Sequence, residues 1–590
     1  MTMTDATTTT TATRPWLDAD LPVDERVQLL LDEMTIEEKA GLFFHTMIAI
    51  GDLDEPNPIF STPSARDFLE KKQMTHFNLL GAAPTGREIA AWQNAVQRLA
   101  ASTRLGIPVT LSTDPRHSFS ENPGASILAG PFSQWPETLG LAATRDPELV
   151  ERFADIARQE YTAVGLRVAL HPQVDLATEP RWARQTATFG EDAELSGVLG
   201  AAYIRGFQGA SFGPGSVSTM TKHFPGGGPQ KDGEDPHFPY GREQVYPGGQ
   251  FELHLKPFED ALAAGTRQMM PYYGMPVGTE YEEVGFGFNK SVITGLLRER
   301  YGFDGLVCTD WGLINDSEIF GQPFPARAWG VEDLSPRERM KKVLDAGADQ
   351  FGGEDCPELL LELVADGEVT EERIDVSARR LLREKFELGL FDDPFVDEDA
   401  ADEVVGNAEF RDAGESAQRA SITVLTNAGA LPFARGLKLY VEGLSAEVAA
   451  DYGQVVATPA EADLAIIRLQ APFEERETMF ENFFHAGSLD FDTEVVDHVQ
   501  AVAAVVPTVV DVLADRPPIL TPLVDAAAAV TVNWGASGAA LLDVLSGAFA
   551  AHGKLPFDLP RSMAAVEASA PDVPFDTADP LFRFGHGLSL

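Results

Sequence analysis

Several short apolar runs of this 590-residue chain end in side chains able to do chemistry. Asp114 follows Pro108–Thr113, Lys222-His223 closes Val217–His223, Met269 and Tyr272 lie in Arg267–Tyr273, and Asp310-Trp311 ends the run from Gly305. Arg184 and Glu191-Asp192 sit in the long stretch after Val168–Leu176. Groups of both charges, converging with aromatics on one rim, suit a sugar. Its hydroxyls need paired donors and acceptors, and its ring offers an apolar face to an aromatic platform. Each residue alone has a plainer reading. An Asp at a strand end is often a helix N-cap, Lys222-His223 could be a structural ion pair beside a buried histidine, and Met269, Tyr272 and Trp311 could be packing. Their shared position at successive strand ends is what argues for a site.

Other chemistries find little support. The chain has no G-x-x-x-x-G-K-[ST] or H-E-x-x-H motif, and no G-x-S-x-G elbow stands out. Pro225–Pro229 is glycine-rich, but it lacks the helix opening that cradles phosphate. A barrel lyase or aldolase using Lys222 as a Schiff base needs a lysine with a depressed pKa in an apolar pocket. The carboxylates expected around Lys222 argue against that. A non-catalytic sugar-binding protein on the same scaffold is the other alternative, and the presence of Asp310 together with a candidate acid weighs against it.

The elements that must position these residues alternate. Strands are expected at Gly41–His45, Thr75–Leu80, Pro108–Thr113, Val168–Leu176, Val217–His223, Arg267–Tyr273, Gly305–Asp310 and Ala348–Gly352. Helical patterns fall between them at Arg87–Ala101, Pro147–Ala163, Ala193–Phe207, Gln250–Ala264, Ser291–Arg300 and Pro336–Leu344. Asp146 before Pro147 and Ser335 before Pro336 are N-cap signals, and Gly165, Gly265 and Gly347 are stops. Such alternation predicts an α/β fold, a (β/α)8-type TIM-like barrel, with chemistry at the C-terminal ends of the strands. After Val369–Leu390 the chain turns acidic and irregular, then a second strand–helix alternation begins near Ser421. The expected domains are a disordered Thr-rich tail (1–20), a catalytic barrel (21–395), a linker (396–415) and a smaller α/β sandwich (416–590).

Composition narrows the partners. Acidic residues outnumber basic ones 91 to 45, for a net charge of −46. That field repels phosphate backbones, so neither nucleic acid nor an anionic membrane is an expected partner. The most apolar stretches fall far short of the ~20 residues of a membrane span. Two cysteines, Cys308 and Cys356, make no disulfide framework or metal knuckle. The N-terminal residues lack the basic and apolar regions of a signal peptide, so a reducing, cytoplasmic setting is expected. No cofactor or metal is expected, and a homo-oligomer is left open.

Five segments together carry a resemblance. They are Pro180-Arg181-Trp182-Ala183-Arg184 with Phe189-Gly190-Glu191-Asp192, Lys222-His223-Phe224 with its glycines, Met269-x-x-Tyr272, Gly305-Leu306-Val307-Cys308-Thr309-Asp310-Trp311, and the C-terminal Pro580–Leu590. Their order and spacing resemble glycoside hydrolase family 3, the β-glucosidase and exo-β-glucanase group. The resemblance implies a barrel followed by an (α/β)6 sandwich domain and a retaining, exo-acting cleavage of terminal β-D-glucosyl residues. β-Xylosidase and β-N-acetylglucosaminidase activities are the alternatives on this scaffold. It implies Asp310 as nucleophile, with Asp114, Arg184, Lys222, His223, Met269 and Tyr272 holding the sugar and Trp311 walling the pocket. It also implies an acid/base from the second domain, on a loop after an early strand. Here Asp463–Leu469 runs into Gln470–Glu477, making Glu475 the first choice, then Glu474 and Glu477. Two departures stand out. Gln185–Thr188 lacks the acidic residue often found there. Gly227 replaces a histidine of the N-acetylglucosaminidase branch, although Asp235-Pro236-His237 follows at longer spacing than that branch's Asp/His acid/base pair.

Overall fold

The computed structural model describes residues 14–57, 62–114, 117–119, 129–319 and 321–590. Its first part is a closed barrel of eight parallel strands: β1 (Phe44–Ala49), β2 (His76–Leu80), β3 (Thr110–Thr113), β4 (Leu166–Ala169), β5 (Ser218–Phe224), β6 (Gln268–Pro271), β7 (Leu306–Trp311) and β8 (Gln350–Gly352). They run round in sequence order, with β8 closing on β1 through Phe44↔Phe351. All eight expected strands are present, most with ends shifted by a few residues, but β4 stops at Ala169, well short of the expected Leu176. Inside the barrel, Val168, Met220, Met270 and Cys308 pack together with Leu170 into an apolar layer. Outside it, Phe77, Leu111, Leu166 and Val307 meet the apolar faces of the surrounding helices.

The helix starts follow their caps. Asp146 accepts from the backbone N–H groups of Glu148 and Leu149, and Ser335 forms a capping box with Glu338. Gly347 ends the Pro336–Ala346 helix in the left-handed region, at φ 105°.

Two boundary expectations need correction. Residues 1–13 of the Thr-rich tail lie outside the described residues, but Pro15–Leu17 forms a turn with Trp16 buried against Val27, Leu30 and Phe386. Order therefore begins before residue 21. The stretch 396–415 is not an irregular linker either. Asp397 and Asn407 cap helices at Glu398–Val404 and Ala408–Ser421, and the first is tied to the barrel by Asp402 and Asp399 on Arg87. Acidic residues in a first turn complement the helix dipole, so this acidity marks helix starts.

The second part is a six-stranded sheet: β9 (Thr423–Asn427), β10 (Lys438–Glu442), β11 (Gln454–Val455), β12 (Leu464–Gln470), β13 (Thr508–Leu513) and β14 (Ala529–Asn533), in the order β9-β14-β13-β12-β10-β11. Only β9 is antiparallel to its neighbour. Helices cover both faces. Val510, Val530 and Val532 face one core, and Val509, Ile466 and Ala529 face the other. That explains the near-continuous apolar runs of these strands.

Charged and backbone contacts join the two parts. Buried Glu191 accepts from the N–H groups of Asp558 (2.6 Å) and Phe575 (2.7 Å), and Asp572 accepts from Gly248 and Gln250.

Candidate active site

The C-terminal rim of the barrel and one wall of the second domain enclose a cavity of about 820 Å³. Its inner part collects the expected polar residues. Asp114, just beyond β3, accepts from Lys222 Nζ at 2.8 Å and pairs with His171 Nε2 at 2.7 Å. Burial lowers the pKa of Lys222, with Asp114 opposing the shift. Lys222 therefore pairs with Asp114 rather than with Asp310.

His223, at the end of β5, is held from behind. Its Nδ1 lies 2.7 Å from Asp175 Oδ2, and Asp175 Oδ1 accepts from the backbone N–H groups of His223 and Gly227. Burial and the neighbouring Arg184 charge push the pKa of His223 well below its ordinary value, so the ring is neutral. With Nδ1 donating to Asp175, Nε2 accepts from Arg184 Nη2 at 3.3 Å. Burial also pushes the Asp175 carboxyl up, to about 6.

Asp310 ends β7 with little exposure. Its Oδ1 accepts from the N–H of Trp311 at 2.9 Å, while Oδ2 has no hydrogen-bond partner among the described residues and lies 3.8 Å from His223 Nε2. One carboxylate oxygen is thus fixed and the other is uncommitted. Trp311 lies over Gly352 and Gly353. A Cβ on Gly353, which has φ of 70°, would come within 2.6 Å of Trp311 Cδ1, so glycine makes room for the indole.

Two of the expected residues are displaced by one position. Met269 is fully buried among the outer core residues, and Met270 faces the barrel interior and the cavity instead. Tyr272 is fully buried, its hydroxyl accepting from Trp182 Nε1 at 3.3 Å. Tyr273 takes the place expected for it at the cavity. Its hydroxyl donates to the carbonyl of Trp311 (2.8 Å) and accepts from the Trp311 N–H (2.9 Å). Burial and then the Asp310 charge raise its pKa, so the phenol keeps its proton.

The three glutamates named for the acid/base do not line the cavity. Glu474, Glu475 and Glu477 are exposed, and Glu474 accepts from the N–H of Ser488. The cavity instead receives two imidazole–carboxylate pairs. His237 Nδ1 lies 2.6 Å from Asp235 Oδ1, and its ring meets those of Tyr273 and Phe484, each with centroids 4.6 Å apart. His485 Nδ1 is bonded to Asp515 Oδ2 in the second domain. Sequence reasoning missed His485, Asp515 and Asp175, as well as Glu354. Burial raises the Glu354 carboxyl to about 7, and this cavity-lining group accepts from the N–H groups of Ile314 and Asn315. The signal available for Asp175 was an acidic residue inside an apolar run.

Of the departures, Gln185 is buried and donates to the carbonyl of Glu179, while Thr186 and Ala187 reach the cavity. An apolar and hydroxyl edge replaces a charged one there.

Comparison with known proteins gives the same architecture. Residues 62–384 match the glycosyl hydrolase family 3 N terminal domain and residues 403–590 its C-terminal domain. The chain is 54% identical to beta-glucosidase C of Emericella nidulans, covering 97% of this chain and 93% of that protein. It is 41% identical to the periplasmic beta-glucosidase/beta-xylosidase of Dickeya chrysanthemi, over 97% and 91%. Among solved structures, the fold matches the beta-glucosidase of Listeria innocua in complex with glucose at a TM-score of 0.75 and 21% identity, over 96% of this chain and 83% of that one. It also matches the exo-1,3/1,4-beta-glucanase of Pseudoalteromonas at a TM-score of 0.78 and 21% identity, over 96% and 73%. With both domain models matched in order and relatives alike over nearly their whole length, the chain belongs to glycosyl hydrolase family 3.

Proposed function

We propose that the protein is a retaining, exo-acting β-glucosidase that removes terminal non-reducing β-D-glucosyl residues from oligosaccharides or glycosides. The observation that carries this reading is the uncommitted Oδ2 of Asp310, set in the same cavity as Asp114, Lys222, Arg184 and His223. These groups bind sugar hydroxyls and Trp311 covers a ring face. Asp310 attacks the anomeric carbon, the bond to the leaving oxygen breaks, and a general acid gives that oxygen its proton. Water then attacks the glycosyl-enzyme, the same group now taking the proton, and Asp310 is released. The Trp311 N–H holds Oδ1 of Asp310 in place, and Oδ2 has no hydrogen-bond partner among the described residues.

For the acid/base we retain Glu475 as first choice, with Glu474 and Glu477 behind it; all three are exposed outside the cavity, on the loop that runs on into its wall at Phe480. His237, backed by Asp235, is the second reading, because its ring lines the cavity that holds Asp310. An acid/base variant loses less rate on a nitrophenyl glucoside, whose leaving group needs no proton, than on a disaccharide, and azide restores part of its turnover. Comparing Glu475→Ala with His237→Ala by that pattern assigns the role.

The test of the reading as a whole compares nitrophenyl β-glucoside, β-xyloside and β-N-acetylglucosaminide with the wild type and Asp310→Asn. Glucoside should be cleaved fastest, with nearly all turnover lost in the variant. A wild type that prefers the N-acetylglucosaminide would reject glucose as the sugar. A variant within a few-fold of wild type would reject Asp310. Cytoplasmic residence is part of the proposal, supported by two free buried cysteines. Cell fractionation tests it, with the activity expected in the soluble cytoplasmic fraction.

A further inference from the structure

The cavity is larger than one pyranose requires, and its two ends differ in origin. The inner end is built by the barrel, whereas the outer wall comes from the second domain through Phe480, Phe483, Phe484, His485 and Asp515. Asn482 also lies on that wall, but its side chain is already committed. It accepts from the N–H of Arg476 and donates to the carbonyls of Arg476 and Thr478.

His485 is differently placed. Its ring stacks on Phe473 with centroids 3.9 Å apart and planes at 5°, and Nδ1 is tied to Asp515. The ring is about one-third exposed and lines the cavity, leaving Nε2 as the edge with no hydrogen-bond partner among the described residues. Next to Asp515, the wholly buried Arg516 donates to the carbonyls of Pro472 (2.6 Å), Gly487 (3.2 Å) and, in the barrel, Arg181 (3.1 Å). One guanidinium therefore fixes both segments that carry the pair relative to the barrel. This is a supported, pre-oriented imidazole. The ring contacts running from Tyr273 through His237 to Phe484 lie between it and the nucleophile's surroundings. His485 thus lies on the second-domain wall of the cavity whose barrel end holds Asp310.

We infer that His485, oriented by Asp515, is the specificity residue for a second sugar ring on the leaving-group side, with Phe480 and Phe483 covering that ring's apolar face. The preferred substrate is then a gluco-oligosaccharide rather than a small alkyl or aryl glucoside. This rests on the glycosidase reading above, and its test is arranged to fail separately. An imidazole backed by a carboxylate is a strong partner for a hydroxyl, and a partly exposed phenylalanine suits a pyranose face.

The binding experiment uses Asp310→Asn titrated with glucose, cellobiose and laminaribiose, in the presence and absence of His485→Ala. The better of the two disaccharides should bind more tightly than glucose, and His485→Ala should cut that advantage about tenfold. Asp515→Asn, which keeps the shape, should fall between. In otherwise wild-type protein, the kcat/KM ratio of disaccharide to nitrophenyl glucoside should fall by a similar factor, mainly through KM. Both readouts are ratios within one preparation, so partial misfolding does not mimic them. An equal loss for glucose and disaccharide, or an unchanged advantage, overturns the inference. So does an Asp310→Asn protein that binds neither disaccharide better than glucose. A wild type without β-glucoside turnover would defeat the proposed function, while the binding arm would still decide whether a second ring is read.

Discussion

A single residue separates Tyr272 from Tyr273, yet they face different surroundings. Side chains alternate along an extended chain, so a slip of one position exchanges core for cavity. The resemblance pointed at Met269 and Tyr272, but the geometry gives the cavity to Met270 and Tyr273. Run as a pair, the two phenylalanine variants separate these roles. Tyr273→Phe removes the hydroxyl between Trp311 and Asp310, and kcat/KM on nitrophenyl glucoside should fall at least about tenfold, each tenfold being about 1.4 kcal/mol of barrel-rim stabilisation of the transition state. Tyr272→Phe strands the Trp182 indole N–H in a buried site, so it should cost about 1–3 kcal/mol of stability and leave turnover within a few-fold. Urea unfolding and steady-state rates on both variants give the answer, and the reverse pattern would restore Tyr272 to the site. Asp114, Lys222, His223, Asp310 and Trp311 were legible in the sequence because each sits at or near a strand end, and Arg184 because it belongs to the Pro180–Asp192 segment that carries the resemblance. His485 and Asp515 were not, because 30 residues separate them and only the fold of the second domain brings them together.

Strand existence was the most legible feature at the level of elements, since parallel strands buried on both faces carry dense apolar runs. Helices with strong caps were read nearly to the residue, as at Pro147–Ala163. The acidic run after residue 392 misled because a charged helix start and a solvated linker have the same composition. The loop after β5 shows a different dependence. Gly228 packs so closely that a Cβ would lie 1.7 Å from the carbonyl oxygen of Leu176. Its neighbour Gly227 donates to Asp175, the carboxylate that holds His223. Backbone atoms cannot yield as a flexible side chain can. Gly228→Ala should therefore destabilise by about 1–3 kcal/mol, typical of overpacking, and should disturb the His223–Asp175 pair. The check is a urea midpoint together with kcat. An alanine variant with wild-type stability and turnover would mean that the loop has room the geometry denies.

For the molecule as a whole, buried groups of opposite character set the pH range of stability. Burial lifts the Glu191 carboxyl from 4.5 to about 8, with Asp558 and Asp192 adding to the rise, and Glu354 to about 7. A raised acid keeps its proton in the folded state after the unfolded chain has lost it. Stability from these groups is complete below about pH 4.5 and is lost as pH rises toward 8. Buried histidines act from the other side. Burial lowers His45 to about 3 and His254 to about 4, and carries His76 and His223 well below 6.5. The folded chain keeps these rings neutral where the unfolded chain would protonate them, so stability is lost as pH falls below 6.5. Of these groups, only the two carboxyls respond between about pH 6.5 and 8, and below 6.5 the four histidines oppose and outnumber them. The thermal midpoint should therefore peak slightly acid of neutrality and decline on both sides. Glu191 also joins the two domains, so Glu191→Gln replaces the proton-dependent group with a neutral one of similar shape. Melting curves from pH 5 to 9 should show its alkaline decline flattened and its acid decline unchanged. An alkaline limb as steep as that of the wild type would mean that Glu191 does not carry a proton in the folded enzyme.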